Sequence, residues 1–272
     1  MRVDLHCHSI RSDGADPPEL VAERAIARGV TLFALSDHDT CAGYDAVRAV
    51  RGDALRAVEL SCRERERTVH ILIYDAEASE RWSDLEDALA QLRAARRRRF
   101  RIMAERLSRR GVCIDADAII EEAGDRPVGR PDLARAVVAA GAATSVKDAF
   151  ARFLRDDGAV DEAGWGISVG EGLELCRAAG GRASLAHPHQ VGRAALELVR
   201  RYRSAGLTGL EALYGAYTPT ERARWLDLAD REGLVATAGS DYHGARGDVA
   251  LGVDIPDERA AKLYSWLGVA PP

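Results

Sequence analysis

An α/β fold of repeated βα units, interrupted once by an all-helical insertion, is what this sequence of 272 residues predicts. Short β-branched or apolar runs alternate with amphipathic stretches through residues 1–78 and again through residues 167–272. Residues 79–166, between them, keep a helical spacing of apolar side chains and offer no convincing strand. Histidines and carboxylates, finally, gather where the strands end, as they do at the C-terminal mouth of a βα barrel.

The strands fall at Val3 to His8, Thr31 to Ser36, Arg56 to Ser61, Val69 to Tyr74, Arg182 to Ala186, Gly209 to Leu213 and Leu234 to Gly239. Between the first two, Pro17 opens and Gly29 closes an amphipathic helix, the usual asymmetry of Pro at an N-terminus and Gly at a C-terminus. Further on, Ser168 and Glu171 have the spacing of a capping box, and Gly206 closes a helix that starts near Val191. In the insertion Trp82, Leu85, Leu89, Leu92, Phe100, Met103 and Leu107 recur at helical spacing. Its helices run roughly from Glu80 to Arg110, Asp115 to Ala123, Pro131 to Ala140 and Ser145 to Leu154, and the acidic loop Asp156 to Glu162 follows. Arg96 to Arg99 form an unbroken basic run. Successive helical residues are about 100° apart, so the run cannot share one face and at least one of its members points back toward the barrel.

With 47% apolar residues, and 43 acidic against 38 basic side chains, the chain has the composition of a globular protein with a substantial core. It lacks any apolar run of about 18 residues, and a strand begins too soon after Met1 to leave room for a leader, so neither a membrane span nor an export signal is expected. Cys7, Cys41, Cys62, Cys113 and Cys176 are scattered and include no Cys-x-x-Cys pair, which fits neither a disulfide framework nor a thiolate zinc site; a reducing cytoplasm is the expected location. The net charge of −5 argues against charge-driven binding to nucleic acid, and no stable DNA complex is expected. An anionic substrate would need local positive charge, such as metal ions provide.

Residues alternate faces along a strand, so in Val3-Asp4-Leu5-His6-Cys7-His8 the two imidazoles point together, away from Val3, Leu5 and Cys7. A lone His-x-His is most simply a pair of packing or surface histidines. Here it has company. Asp13 follows in a Ser-Asp-Gly turn, His38 lies between Asp37 and Asp39 after the second strand, Glu59 ends the third and His70 begins the fourth. His187 follows the strand ending at Ala186, and Asp241 and His243 follow the one ending at Gly239. Six of the seven histidines belong to this set, and scattered structural histidines have no reason to track strand ends, so the set reads as a metal site. Imidazoles and carboxylates without a thiolate suit Mn, Zn or Fe ions better than Ca. At three or four protein ligands per ion, with a carboxylate able to bridge, the candidates imply two or three ions about 3.5–4 Å apart. Such a cluster acidifies a shared water and draws charge from phosphoryl oxygens, so hydrolysis of a phosphate ester follows naturally. Cys7 and Cys62 read as small buried hydrophobes, Ser9 and Ser240 as hydrogen-bonding support, and Tyr242 as core. Asp37 or Asp39 either orients His38, carries a proton, or stabilises the turn.

These residues resemble a known family. His6-Cys7-His8-Ser9-Ile10-Arg11-Ser12-Asp13-Gly14, with Pro17 and Glu19 after it, then Ala34-Leu35-Ser36-Asp37-His38-Asp39-Thr40, Val58-Glu59-Leu60-Ser61, Val69-His70-Ile71-Leu72, Ala186-His187-Pro188 and Gly239-Ser240-Asp241-Tyr242-His243-Gly244 resemble the ordered motifs of the polymerase-and-histidinol-phosphatase (PHP) family of metal-dependent phosphoesterases. The resemblance implies a distorted (βα)7 TIM-like barrel holding a trinuclear site. Carried over position by position, it implies His6, His8, Glu59 and Asp241 on one ion, Glu59, His70 and His187 on a second, and Asp13, His38 and His243 on a third. Glu59, Asp241 and His187 are the implied catalytic residues, with Glu59 as the bridge.

The helical insertion makes the chain most similar to a stand-alone bacterial branch that removes the 3′-phosphate of nucleoside 3′,5′-bisphosphates or trims RNA 5′ ends. That implies a small phosphorylated substrate, a nucleotide or short RNA, beneath an insertion that covers the active site. In that branch the insertion carries an Arg-Pro-His-like motif and a Gly-Lys-Pro-x-Tyr-Val-like loop near the substrate phosphate. This sequence instead has Gly129-Arg130-Pro131-Asp132 and Asp157-Gly158-Ala159-Val160-Asp161-Glu162. Arg130, with Arg96 and Arg99 from the basic run, are therefore the candidate substrate-binding residues. Asp132 is expected to repel phosphate, so the preference for bisphosphates is expected to be weak or altered. His189 stands where a Gly is expected. Two readings compete: a phosphatase of another small metabolite such as histidinol phosphate, against which the insertion speaks, and a non-catalytic metal-stabilised interaction domain, against which the surplus of ligands speaks.

Overall fold

Apolar runs with few polar interruptions become strands buried on both faces, as in β2 (Leu32–Leu35), whose four residues are all buried. The computed structural model describes residues 1–65, 67–75, 81–155, 166–244 and 249–271. Its other strands are β1 (Arg2–Asp4), β3 (Leu55–Glu64), β4 (Arg67–Tyr74), β5 (Ile167–Ser168), β6 (Arg182–Leu185), β7 (Leu207–Tyr214), β8 (Val235–Gly239) and β9 (Val253–Asp254). The helices are α1 (Pro18–Ala27), α2 (Tyr44–Val50), α3 (Trp82–Ser108), α4 (Ala116–Ala123), α5 (Arg130–Ala139), α6 (Val146–Phe153), α7 (Val169–Ala178), α8 (Pro188–Val191), α9 (Ala195–Tyr202), α10 (Pro219–Glu232) and α11 (Asp257–Leu267). Pro at its first turn and the buried stripe Val21, Ala22 and Ala25 define α1, as the sequence leads one to expect.

The sheet runs β8-β7-β6-β4-β3-β2-β1-β9, with β5 paired to β3. It is nearly closed: the Leu5 N–H donates to the Ala238 carbonyl at 3.0 Å, bringing the end of β8 against the chain that leaves β1. The fold is thus mixed α/β around a barrel-like sheet. Among the described strands two are reversed, the two-residue β9 at the edge, antiparallel to β1, and β4 inside the sheet. β4 is antiparallel to both β3 and β6, whereas β1-β2-β3 and β6-β7-β8 are parallel. The N-terminal end of β4 therefore lies at the same mouth as the C-terminal ends of its neighbours. His70, which begins a strand while the other candidates follow one, reaches the site for this reason.

Several boundaries differ from those read in the sequence. β1 stops at Asp4, and the chain through His6 and His8 instead bonds to the segment after β8, with Asp241 N–H to His6 O at 2.7 Å and His8 N–H to Tyr242 O at 2.8 Å. β3 continues past Ser61 to Glu64 because β4 pairs with it throughout, Glu64 facing Arg67; the charged tip gives no apolar signal. The helix expected from Val191 to Gly206 is broken, with Gly192 in the left-handed region at φ 67° separating α8 from α9 by a 3-10 turn. β5 and β9, two residues each, are too short for any periodicity to reveal. The acidic loop Asp156 to Glu162 lies outside the described residues.

Between β4 and β5 the described elements are the helices α3 to α6. α3 joins two cores. Its first half, Trp82, Leu85, Leu89 and Leu92, packs into the main core with the barrel strands. Its second half, Phe100, Met103 and Leu107, belongs to a separate cluster with Ile120, Leu133, Val137 and Ala149 from α4 to α6. Arg96 and Arg99 lie between these halves, both buried, which is the inward turn that the four consecutive arginines require.

Candidate metal centre

All nine residues singled out as ligand candidates converge at the barrel mouth. His6, His8 and Glu59 are fully buried, and His187 nearly so. Glu59, from the middle of β3, lies at the centre and splits its oxygens between two groups. Oε2 is 3.2 Å from His6 Nε2, 3.2 Å from His8 Nε2 and 3.0 Å from His38 Nδ1. Oε1 is 2.9 Å from His70 Nδ1 and 2.8 Å from His187 Nε2. Asp241 Oδ1 approaches His6 Nε2 at 3.4 Å and His8 Nε2 at 3.2 Å. At the outer edge, Asp13 lies 3.3 Å from His243 Nε2, 3.7 Å from His8 Nδ1 and 3.8 Å from His38 Nε2. Four overlapping sets have donor atoms mutually within 4.8 Å: His8-Asp13-His38-His243, His6-Glu59-His187, His6-His8-Asp241 and His38-Glu59-His70. They resemble the expected grouping, except that His6, His8 and His38 each face two sets.

The local backbone is bent to serve this convergence. Asp39, His187 and Asp241 have φ of 50°, 24° and 57°, conformations that side-chain-bearing residues adopt at a cost of about 1–3 kcal/mol each and that cluster at functional sites. A Cβ on Gly239 would lie 2.2 Å from the His6 Cβ and 2.8 Å from Glu211 Oε1, so only glycine allows β8 to close on His6.

Burial opposes charge on His6, yet Glu211, Glu59 and Asp241 outweigh it and hold the imidazole well above the usual histidine range. Against the same burial, Asp241 and Glu59 push His8 up to about 10. Burial likewise disfavours ionised Glu59, but His38, His6, His70 and His187 hold it well below the usual carboxylate range, and His6, His8 and His243 do the same for Asp241. His70 goes the other way, to about 4, because burial, reinforced by His38 and His187, outweighs Glu59. Without a metal the site is therefore held by protons on His6 and His8 facing ionised Glu59 and Asp241, positions from which a divalent cation would displace the protons.

The donor chemistry fits a metal. His6 Nε2, His8 Nε2, His38 Nδ1 and Glu59 Oε2 are buried and make no hydrogen bond of acceptable geometry, although Oε2 lies 3.0–3.2 Å from each of the three nitrogens. His6 shows why: its Nδ1 donates to Glu211 Oε1 at 2.8 Å, since a carboxylate only accepts, so Nε2 and the Glu59 carboxylate meet as two acceptors unless a proton, which the raised pKa places there, or a metal ion stands between them. Lone pairs facing one another in a dry pocket call for a cation between them.

The other residues singled out in the sequence divide clearly. Ser9 and Ser12 donate to Asp37, and Ser240 donates to Asp4, so these serines support loops around the ligands. Asp37 is used up in its turn, while Asp39 accepts from the Ser61 N–H and pairs with Arg96. Cys7, Cys62 and Tyr242 are buried, Tyr242 donating its hydroxyl to Asp16. Ser12, Asp13, His38 and His70 form one wall of a cleft whose other wall is Arg96, Arg99, Arg130, Pro131, Asp132 and Phe150. All three substrate-binding candidates thus face the cleft, but Arg96 is already engaged by Asp39, Ser61 and the Val128 carbonyl. Asp132 does not present a bare charge: its carboxylate accepts from Gly129 N–H at 2.8 Å, Arg126 at 2.8 Å and Arg135 at 2.7 Å. His189 bonds to the Tyr217 hydroxyl at 2.9 Å. Two residues that sequence reasoning missed support the ligands directly. Glu211 and Tyr214, both in β7, bond to His6 and Asp241; inside an apolar run they carry no signal of it.

A barrel mouth built of imidazoles and carboxylates, with opposing arginines across a cleft, defines a metal-dependent hydrolase of anionic esters. Comparison with known proteins narrows the class. Residues 4–104 match the PHP domain. The chain is 33% identical to a 3′,5′-nucleoside bisphosphate phosphatase of Chromobacterium violaceum over 93% of its length and 92% of the relative's. It is 31% identical to a 5′-3′ exoribonuclease of Haemophilus influenzae, covering 93% and 94% of the two chains. A solved structure from Bifidobacterium adolescentis, assigned there as a metal-dependent phosphoesterase, superposes with a TM-score of 0.80 at 30% identity over 98% of this chain and 96% of that one. The chain belongs to the PHP family of metal-dependent phosphoesterases.

Proposed function

We propose that this phosphoesterase hydrolyses nucleotides or short oligoribonucleotides at a phosphate ester, using two or three divalent ions of the Mn, Zn or Fe kind. The observation that carries the reading is the division of Glu59 between two sets of imidazoles, the arrangement of a bridging carboxylate. His6, His8, Glu59 and Asp241 would hold one ion, Glu59, His70 and His187 a second, and Asp13, His38 and His243 a third. When bound, such ions supply Lewis acidity toward phosphoryl oxygens and acidify water. The protein's own contribution is to fix the donors: Glu59 spans both sets, Asp241 turns Oδ1 inward, and burial keeps competing water away. Glu59, Asp241 and His187 are the residues nearest the reaction in this reading.

The barrel, residues 1–78 and 167–272, is read as a distorted (βα)7 TIM-like barrel with β4 reversed, and residues 79–166 as its cover. Arg130 and Arg99, on the cover side of the cleft, are the donors for substrate phosphate, and bidentate geometry suits them to it. Arg96 lends charge while holding Asp39. The relatives' named substrates, nucleoside bisphosphates and RNA, support the class. Five free cysteines accord with a cytoplasmic location. The test is phosphate or nucleotide release by the manganese-loaded protein from mono- and bisphosphorylated nucleosides, oligoribonucleotides and sugar phosphates. Turnover of nucleotides or oligoribonucleotides above sugar phosphates is expected. Preference for sugar phosphates would overturn the substrate class, and no turnover despite stoichiometric metal would overturn the enzyme reading.

A further inference from the structure

β7 supplies none of the ligand candidates, yet it touches three of them. Glu211, completely buried, divides its carboxylate: Oε1 accepts from His6 Nδ1 at 2.8 Å and Oε2 accepts from the His187 backbone N–H at 2.6 Å. The second bond falls on the residue whose backbone is strained, φ 24°. Tyr214 donates its hydroxyl to Asp241 Oδ2 at 2.8 Å, leaving Oδ1 to face His6 and His8. Residues three apart on a regular strand point to opposite faces. Here the pairing of β7 with β8 shifts between Glu211 and Leu213, an irregularity that turns both side chains toward the mouth.

We propose that Glu211 and Tyr214 are positioning residues for the metal centre, Glu211 fixing the His6 tautomer and the His187 backbone while Tyr214 fixes which Asp241 oxygen is offered. The inference rests on the reading of the nine residues as metal ligands. Its logic is stoichiometric at Glu211, where two N–H donors need two acceptor oxygens. Glu211→Gln offers one oxygen and one NH2, so one of the two bonds is lost whichever way the amide turns. Tyr214→Phe removes only the hydroxyl.

The experiment titrates Zn2+ against a chromophoric chelator in wild type, Glu211→Gln, Tyr214→Phe and Glu59→Gln, alongside bound metal per chain and the thermal melt of each metal-free protein. Glu211→Gln should weaken Zn2+ binding by roughly 10- to 100-fold, the usual range when a group orienting a ligand is removed, and Tyr214→Phe by less. In the Zn2+-loaded wild type, 15N spectra of the histidines should show a ligand imidazole protonated at Nδ1 that changes in Glu211→Gln. A purely structural role would lower the metal-free melting temperature and leave affinity and tautomer unchanged, which would overturn the proposal. If Glu211→Gln does not fold, Tyr214→Phe decides, and wild-type affinity in that variant overturns it. Wild-type protein that binds no Zn2+, or binds it as well with Glu59→Gln, would instead overturn the metal reading itself.

Discussion

Glu59 faces five imidazoles with two oxygens, whereas Asp13 sits at the rim among His8, His38 and His243 at 3.3 Å or more. Removing charge from the centre should therefore cost more than removing it from the edge. Asp13→Asn is expected to lower kcat/KM by roughly 10- to 100-fold, the scale of a weakened metal shell, and Glu59→Gln by more than that at matched metal occupancy. Equal losses in steady-state assays would show that the two carboxylates are not ranked. Arg96 makes a different prediction: Asp39 is fully buried and pairs with it, so Arg96→Ala leaves a buried carboxylate without its counter-charge. The cost should be roughly 3–5 kcal/mol in urea unfolding, and a loss below about 1 kcal/mol would mean that Asp39 is otherwise compensated. The nine ligand candidates were legible in the sequence because each is a titratable residue at or near the end of a strand as the apolar pattern marks it, although β3 runs on past Glu59 to Glu64. Glu211 was not, since Gly209-Leu210-Glu211-Ala212-Leu213 reads as one buried strand and its irregular register exists only after β8 pairs. The partners of Asp132 were equally hidden: that its carboxylate caps α5 and binds Arg126 and Arg135 depends on where the helix begins.

At the scale of elements, short-range chemistry was readable and long-range pairing was not. The Ser168–Glu171 capping box forms as its spacing implies, Ser168 Oγ accepting from the Glu171 N–H and Glu171 accepting from the Ser168 N–H at 2.7 Å. The insertion helices also fall close to their expected spans, because helical periodicity is local. The reversal of β4 follows from its short connection to β3, which is too short for a parallel crossover, but that β6 joins its other edge from more than 100 residues away is announced by nothing within Arg67–Tyr74. The capping box gives a pH test. The Ser168 backbone bond, with its hydroxyl, holds Glu171 below the usual carboxylate range. A lowered folded-state pKa means a contribution fully present above the unfolded value and lost as pH falls through the folded one. Ser168→Ala should cost about 1 kcal/mol at neutral pH. The stability gap between wild type and Glu171→Gln should shrink steadily as urea titrations move from neutral pH to about pH 3. A gap independent of pH would show that the carboxylate charge contributes nothing at this helix start.

For the whole molecule, the decisive fact is that the ligand candidates come from every part of the barrel: the segment after β1, the loop after β2, β3, β4 and the segments after β6 and β8. An unfolded chain cannot assemble them, so metal binds the folded state alone and stabilises it by mass action, about 2.7 kcal/mol per site at a hundredfold excess over Kd. Chelation should lower the melting temperature by roughly 5–10 °C for each site emptied, since a chain of this size moves a few degrees per kcal/mol. Glu59→Gln should blunt that shift, because it weakens both sets of ligands at once. The insertion sharpens the test. Its cluster of Phe100, Met103, Leu107, Leu133 and Val137 is separate from the barrel core and joined to it through α3. Amide exchange after chelation should therefore accelerate in β3, β4, β6 and β8 while the amides of α4 to α6 keep most of their protection. Equal acceleration throughout would make the two cores one cooperative unit. An unchanged melting temperature, with metal removal verified by mass spectrometry, would mean that the opposed charges already hold the barrel mouth closed and that the ions add reactivity without adding stability.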